Sequence, residues 1–192
     1  SDERMILVEG NLDVISLHQA GFTNTVGALG TSFTENQAKL LSRYTKELVL
    51  TLDADAAGQK AVQRAGEILK DTGLIVKVAV VPDGKDPDEY IRKNGAARFG
   101  ALIDSAVNIM DYKLLIAAKD IDTENDNGKI EYLNKAIAVV AESNDAVARD
   151  IHIGRLSEKY GVSRITGRRV LSDLEKEGLV SRTRGKETFY IC

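Results

Sequence analysis

The stretch ELVLTLDADAAG, residues 47–58, contains the signals that decide the fold of this chain. Its first six residues are mostly apolar, which is typical of a β-strand that is buried on both faces. Two aspartates, Asp53 and Asp55, follow directly, and a helical pattern then runs over residues 56–71. A strand that leads straight into a helix favours a parallel sheet, in which ligands bind beyond the carboxyl ends of the strands.

The same alternation of strands and helices continues on both sides of this stretch. Apolar runs predict four strands, at residues 5–8, 25–29, 47–52 and 74–81, with helices at 12–20, 35–42 and 56–71. From residue 87 onward the pattern predicts helices, at 87–94, 99–120, 129–143, 145–160 and 164–177. The predicted fold class is α/β, a parallel four-stranded sheet with helices on both faces, followed by a C-terminal helical bundle. We expect an α/β metal-binding domain at residues 1–95, a helical subdomain at 96–162, and a basic C-terminal helix with a predicted wing at 163–192.

The composition excludes several classes of site. The 192 residues are 43% hydrophobic and 29% charged, as in a globular domain, and no apolar run is long enough to cross a membrane. The single cysteine, Cys192, excludes an internal disulfide and a thiolate zinc site, and two isolated histidines disfavour histidine–metal chemistry. Any metal must therefore be held by oxygen. The charge is uneven, since residues 149–192 carry 10 Lys and Arg against 6 Asp and Glu, whereas residues 1–148 carry 16 against 23.

Acidic residues follow the strands at their carboxyl ends. Residues two apart on an extended backbone point the same way, so Asp53 and Asp55 are expected to face one point. With the acids after the first and fourth strands they form a predicted carboxylate cluster: Glu9, Asp53, Asp55, Asp86 and Asp88, supported by Asp13. Clustered carboxylates repel one another, and a divalent cation such as Mg²⁺, bound by their oxygens, removes that repulsion. The pattern therefore predicts metal-assisted transfer or hydrolysis at phosphorus.

Parts of this cluster also have an ordinary structural interpretation. The sequence DPDE at residues 86–89 is a common helix start, with Asp86 as N-cap and proline at the first position. Lys60 and Arg64, four residues apart on the third predicted helix, form either a phosphate contact or a solvated face. The glycine motifs of P-loop and dinucleotide-binding proteins do not occur in the sequence. The joint placement of acids at three strand ends favours the metal site.

Several motifs together resemble the TOPRIM module that bacterial DnaG-type primases share with topoisomerases and some nucleases. They are EGNLDVI at residues 9–15, DADAAG at 53–58 and GKDPDEY at 84–90. ALGTSFT at 28–34 and VPDGKDPD at 81–88 resemble the DnaG-type primase version specifically. The resemblance implies catalytic roles for Glu9, Asp53 and Asp55, and Mg²⁺ or Mn²⁺ as cofactor. It also implies metal binding by these three acids with Asp86 and Asp88.

The resemblance further implies a function and a cellular setting. DnaG-type primases synthesise short RNA primers from ribonucleoside triphosphates on single-stranded DNA by metal-dependent nucleotidyl transfer, in the bacterial cytoplasm at the nucleoid. Their zinc-binding domain and helicase-binding C-terminal domain are expected to lie outside this sequence. We therefore expect a poorly active fragment without zinc, whose replicative helicase partner binds through the absent domain, and no membrane partner. A TOPRIM nuclease that cleaves phosphodiester bonds, with Glu9 as general base, stays open as an alternative.

The basic C-terminus carries a second resemblance. LSEKYGVS at residues 156–163, followed by LEKEGLV at 174–180 and GKETF at 185–189, resembles a GntR-type winged helix. This implies phosphate contacts from five arginines: Arg164, Arg168, Arg169, Arg182 and Arg184. It adds a DNA-binding regulator as a third functional class. A similar turn occurs in the helical bundle that ends primase cores, where such arginines are surface residues, and both interpretations stay open.

Overall fold

The computed structural model describes residues 4–28, 33–51, 56–70, 72–82, 86–143 and 145–176. The described residues form two compact units, which divide between Ile109 and Met110. The first unit contains the sheet and the second is helical. Phe99 and Ile103 lie beyond residue 95, where we expected the first domain to end, yet both are buried in the core of the first unit.

The first unit is built on a five-stranded sheet whose order is β2-β1-β3-β4-β5. Its strands are β1 (Arg4–Val8), β2 (Thr25–Gly27), β3 (Glu47–Leu50), β4 (Ile75–Val78) and β5 (Val107–Asn108). The first four are parallel, which confirms the predicted sheet, whereas β5 runs antiparallel on the edge of β4. Leu7 pairs with Leu50, and Leu50 pairs with Val78. This register brings the carboxyl ends of the central strands to one edge of the sheet.

Four helices accompany the sheet: α1 (Asn11–Gln19), α2 (Glu35–Leu41), α3 (Ala56–Leu69) and α4 (Pro87–Asp104). Helix α2 begins with a capping box, because Gln37 N donates to Thr34 Oγ1 (3.3 Å) and Thr34 N donates to Gln37 Oε1 (2.9 Å). Helix α4 is broken at Gly95, whose φ of 81° is accessible to glycine without strain. Beyond this break Phe99 packs edge-on against Phe22, with ring centroids 4.9 Å apart.

The predicted single helix over residues 99–120 is wrong. Helix α4 ends at Asp104, β5 follows, and a new helix, α5 (Ile109–Ala118), begins directly after it. Val107 and Asn108 pair with Val78 and Lys77, so this short segment covers the edge of β4. The apolar residues keep a helical spacing across this segment of the sequence. Its backbone nevertheless forms a strand, because it pairs with the edge of the sheet.

The second unit contains α6 (Asp126–Ala141), α7 (Ala146–Tyr160) and α8 (Arg164–Lys176), which correspond to the last three predicted helices. They enclose an apolar core that includes Tyr132, Ala136, Val140, Ile153 and Leu156. Burial raises the pKa of Tyr132 to about 12, and the neighbouring Tyr160 adds to the shift. In the described part of the chain, no helix is both long and apolar enough to span a bilayer.

Candidate functional site

The acid cluster is predicted at the carboxyl ends of the parallel strands, which form the carboxyl edge of the sheet. Glu9 directly follows β1 and is half-buried. Thr51 directly follows β3, is fully buried, and donates its N–H to Leu7 O (2.9 Å), so β3 ends beside the end of β1. Asp53 and Asp55 lie outside the described residues. Their predicted roles therefore stay predictions.

Asp13 is the buried acid of the cluster, with 8% of its surface exposed. Its Oδ2 accepts the N–H of Gly10 (3.1 Å), which fixes the loop between β1 and α1. Its Oδ1 accepts the N–H of Asp88 (3.1 Å), 75 residues further along the chain. One carboxylate thus ties the residue next to Glu9 to the start of α4. Gly10 suits this contact, because a Cβ there would lie 3.0 Å from Asp13 Oδ2.

The first turn of α4 has a complete set of hydrogen bonds. A helix start leaves backbone N–H groups without partners inside the helix. Pro87 has none to offer, Asp88 N donates to Asp13, and Glu89 N donates to Asp86 Oδ1 (2.6 Å). Asp86 is therefore an N-cap, as the ordinary interpretation of this motif predicted, while its side chain stays at the exposed surface.

Asp88 is held by its side chain as well as by its backbone. Its Oδ1 accepts a hydrogen bond from Ser16 Oγ on α1 and forms an ion pair with Arg92 Nε (2.7 Å) one helical turn away. The side chain of Asp88 is only 16% exposed, and Ser16 is 9% exposed. The sequence motifs of the site include neither Ser16 nor Arg92. The spacing of four from Asp88 to Arg92 could have indicated the ion pair, whereas the sequence contains no sign of the bond from Ser16.

At the amino-terminal ends of the strands, one acidic side chain is paired with two cationic side chains. Glu47 at the start of β3 contacts Arg4 Nε (2.7 Å) and Lys77 Nζ (2.8 Å). Burial raises the pKa of the Glu47 carboxyl, but the hydrogen bond from Lys77 and the charge of Arg4 outweigh it, so the pKa lies below its usual range.

Lys60 and Arg64, the predicted phosphate contacts, are exposed on α3.

The predicted metal ligands do not form a complete site in the described residues alone. Among these residues, no three Asp, Glu, His or Cys side chains are grouped closely enough to hold a metal. A complete carboxylate site therefore needs the segment that contains Asp53 and Asp55. The contacts described for the carboxylates of Asp86 and Asp88 are all made by Oδ1.

Helices α7 and α8 form a helix-turn-helix. Helix α7 ends at Gly161 in the left-handed conformation (φ 68°), and Thr166 N donates to Ser163 Oγ (3.1 Å) at the start of α8. Arg168 forms three hydrogen bonds of 2.7–2.9 Å to Asp150 on α7. Arg168 and Arg169 are both exposed, and the guanidinium of Arg168 is paired with a carboxylate. Arg182 and Arg184, with the predicted wing, lie outside the described residues.

Three protein-family models match the chain. A Toprim-like model matches residues 6–91, which include the sheet edge with the acids. A model of the DnaB-helicase binding domain of primase matches residues 110–164, the start of the second unit. We had expected the helicase-binding part to lie outside this sequence, and this match lies within it. A DeoR-like helix-turn-helix model matches residues 147–189, which include α7 and α8.

Curated relatives and solved structures agree with these matches. The chain is 41% identical to the DNA primase of Clostridium acetobutylicum over 92% of its own length and 30% of that protein. It resembles the RNA polymerase domain of Mycobacterium tuberculosis primase DnaG, solved with double-stranded DNA, at a TM-score of 0.73 and 27% identity, covering 84% of this chain and 52% of that one. A DnaG primase catalytic domain bound to single-stranded DNA matches at 0.62 and 28%, covering 86% and 54%.

The chain spans about three tenths of the length of the curated relatives that it matches. The matches nevertheless cover both of its units, and the quoted motifs lie at the sheet edge where the Toprim-like model aligns. The chain belongs to the DnaG-type primase family and aligns with a little over half of the solved catalytic cores of these proteins.

Proposed function

We propose that this chain supplies the catalytic centre of a DNA primase, which makes short RNA primers from ribonucleoside triphosphates on single-stranded DNA by metal-dependent nucleotidyl transfer. The observation that carries the proposal is the bond from Asp88 N to Asp13, which joins the loop after β1 to the start of α4. It links the loop next to Glu9 to the segment that contains Asp86 and Asp88, and ligands of parallel sheets bind beyond the carboxyl ends of the strands. The family membership supports the same function.

Carboxylate oxygens are the ligands that Mg²⁺ and Mn²⁺ prefer. Glu9, Asp53 and Asp55 would hold the metal, with Asp86 and Asp88 contributing through Oδ2. When bound, such a metal activates a hydroxyl nucleophile and neutralises the charge of a triphosphate. The side chains of Asp13 and Arg92 would position these acids. Asp13 fixes the spacing of the two acidic segments, and Arg92 partly neutralises Asp88 through their ion pair.

We expect the chain to bind a fluorescent ribonucleoside triphosphate when Mn²⁺ is present and to lose this binding in EDTA, because the metal links two anionic partners. Replacing Asp53 and Asp55 together with asparagine should weaken nucleotide binding by at least about tenfold, the lower range for disturbing a metal site. Fluorescence anisotropy at constant ionic strength measures both effects.

The matched control removes two charges elsewhere. Asp126 and Glu131 on α6 have exposed side chains, so Asp126→Asn with Glu131→Gln should leave nucleotide affinity unchanged. Equal affinity of the wild type with and without Mn²⁺ would contradict the proposal. Metal-dependent cleavage of single-stranded DNA in the same samples would instead favour the nuclease.

A second candidate function belongs to the second unit, where two family matches overlap at residues 147–164. We propose that residues 110–164 contact the replicative helicase and that α8 contacts nucleic-acid phosphates. Arg169 is exposed and suits a phosphate contact, whereas Arg168 must first leave Asp150. These contacts would be made at the replication fork, in the bacterial cytoplasm.

We expect Arg169→Ala to weaken binding of duplex DNA in metal-free buffer and to lower the salt slope by about one unit. Asp150→Asn should have the opposite effect, because it releases the guanidinium of Arg168. Lys135→Ala on α6 is the control, since Lys135 is already paired with Glu131 (2.8 Å). Unchanged salt slopes in both Arg169→Ala and Asp150→Asn would show that the exposed face of α8 is an ordinary solvated surface.

A further inference from the structure

Ser16 lies on α1, a helix that contributes no predicted metal ligand, yet its hydroxyl contacts an acid of the proposed metal site. Ser16 is 9% exposed and donates to Asp88 Oδ1 across the packed helices α1 and α4. We propose that Ser16 is a positioning residue that fixes the carboxylate of Asp88 for divalent metal binding. This inference rests on the metal role of Asp88 in the proposed function.

Three contacts restrain Asp88. Its backbone N–H is held by Asp13 Oδ1 (3.1 Å), and its Oδ1 receives both the Ser16 hydroxyl and Arg92 Nε (2.7 Å). An ionised carboxylate has about four lone-pair positions on its two oxygens. With two donors on Oδ1, the carboxyl group cannot rotate freely, and Oδ2 is presented in a fixed direction. A metal ligand that is already oriented loses less conformational freedom when the cation binds.

Ser16 and Arg92 contribute to this restraint in different ways. Arg92 is 67% exposed, so its ion pair is weakened by solvent, and its positive charge opposes a nearby cation. The hydroxyl of Ser16 is buried and neutral, so it orients Asp88 without repelling the metal. It also sits on a helix whose start is fixed by the bond from Gly10 to Asp13. Of these two donors, Ser16 is therefore the one suited to tune metal affinity.

The test measures the Mn²⁺ dissociation constant of the full chain by electron paramagnetic resonance, without nucleotide or template. We expect Ser16→Ala to weaken Mn²⁺ binding roughly ten- to hundredfold, as is typical when a group that orients a metal ligand is removed. Ser16→Thr keeps a hydroxyl at the same position and should restore affinity to within about threefold of the wild type. Melting temperatures confirm that all samples are folded at the temperature of the titration.

Ser157 provides the matched control, because it is a buried helical serine in the second unit, with 7% exposure. Ser157→Ala should leave the Mn²⁺ dissociation constant unchanged. Wild-type affinity in Ser16→Ala, or an equal loss in Ser157→Ala, would overturn the positioning role. If the wild type does not bind Mn²⁺, the proposed function is contradicted, and so is this inference.

Discussion

Replacing Asp13 with alanine is expected to lower the free energy of unfolding of the first unit by about 3 kcal/mol, because two backbone donors lose their acceptor together. Gly10 N and Asp88 N both donate to this buried carboxylate at 3.1 Å. A buried or partly buried N–H without a partner costs about 1–3 kcal/mol. The loss should also separate the start of α4 from α1, so Mn²⁺ binding should weaken in the same variant.

The matched control is Asp145→Ala at the start of α7. Asp145 also accepts two backbone N–H groups, from Val147 (2.8 Å) and Ala148 (3.2 Å), but it is exposed and caps only its own helix. Its removal should cost about 1 kcal/mol, since water replaces the lost acceptor. Urea unfolding followed by circular dichroism, with hydrogen exchange to separate the two units, measures both losses. An equal cost for the two variants would contradict the linking role of Asp13.

Replacing Gly128 with alanine is expected to destabilise the second unit by about 3 kcal/mol or more, because the added Cβ meets backbone. Gly128 is buried in the first turn of α6, and a Cβ there would lie 1.8 Å from Asp122 O and 2.7 Å from Asp122 C. Neither atom can move without displacing the loop before α6. Asn125, whose side chain accepts Gly128 N at 2.8 Å, should lose its capping bond in the process.

Gly154→Ala on α7 is the control for this substitution. A Cβ at Gly154 would also be crowded, but the nearest atoms, at 3.1 Å, belong to the end of the flexible Arg164 side chain. The gain in helix propensity, up to about 1 kcal/mol, should offset the displacement of Arg164 and leave stability nearly unchanged. Thermal unfolding by calorimetry compares the two. Similar melting temperatures for both variants would show that the turn before α6 tolerates a side chain at residue 128.

The parallel sheet could be predicted because each strand is a short apolar run that leads into a helix. Residues 47–52 show this most clearly, and β3 lies at the centre of the sheet. The edge strand β5 could not be predicted, since two residues, Val107 and Asn108, have no period of their own. Their conformation depends on pairing with β4, which is a contact that the local sequence does not encode.

Of the candidate site, the sequence could predict the acidic residues but not the contacts that organise them. The residue types at the strand ends indicated oxygen ligands, and the DPDE motif correctly predicted the N-cap of α4. The contacts that organise these acids join residues 72 and 75 positions apart, Ser16 with Asp88 and Asp13 with Asp88. Such pairs depend on how α1 packs on α4. The ion pair of Arg168 could not be predicted for the same reason, because its partner Asp150 lies on the neighbouring helix.

The proposed function depends on one claim, that the acids at the carboxyl edge of the sheet hold a divalent metal for nucleotidyl transfer. The most direct measurement is anomalous diffraction at the manganese edge from crystals of this chain soaked in Mn²⁺ and a ribonucleoside triphosphate. We predict an anomalous peak coordinated by Glu9, Asp53 and Asp55, with Asp86 or Asp88 in contact and the triphosphate on its open side. No peak among these five acids at saturating Mn²⁺, in crystals where the nucleotide is bound, would contradict the claim.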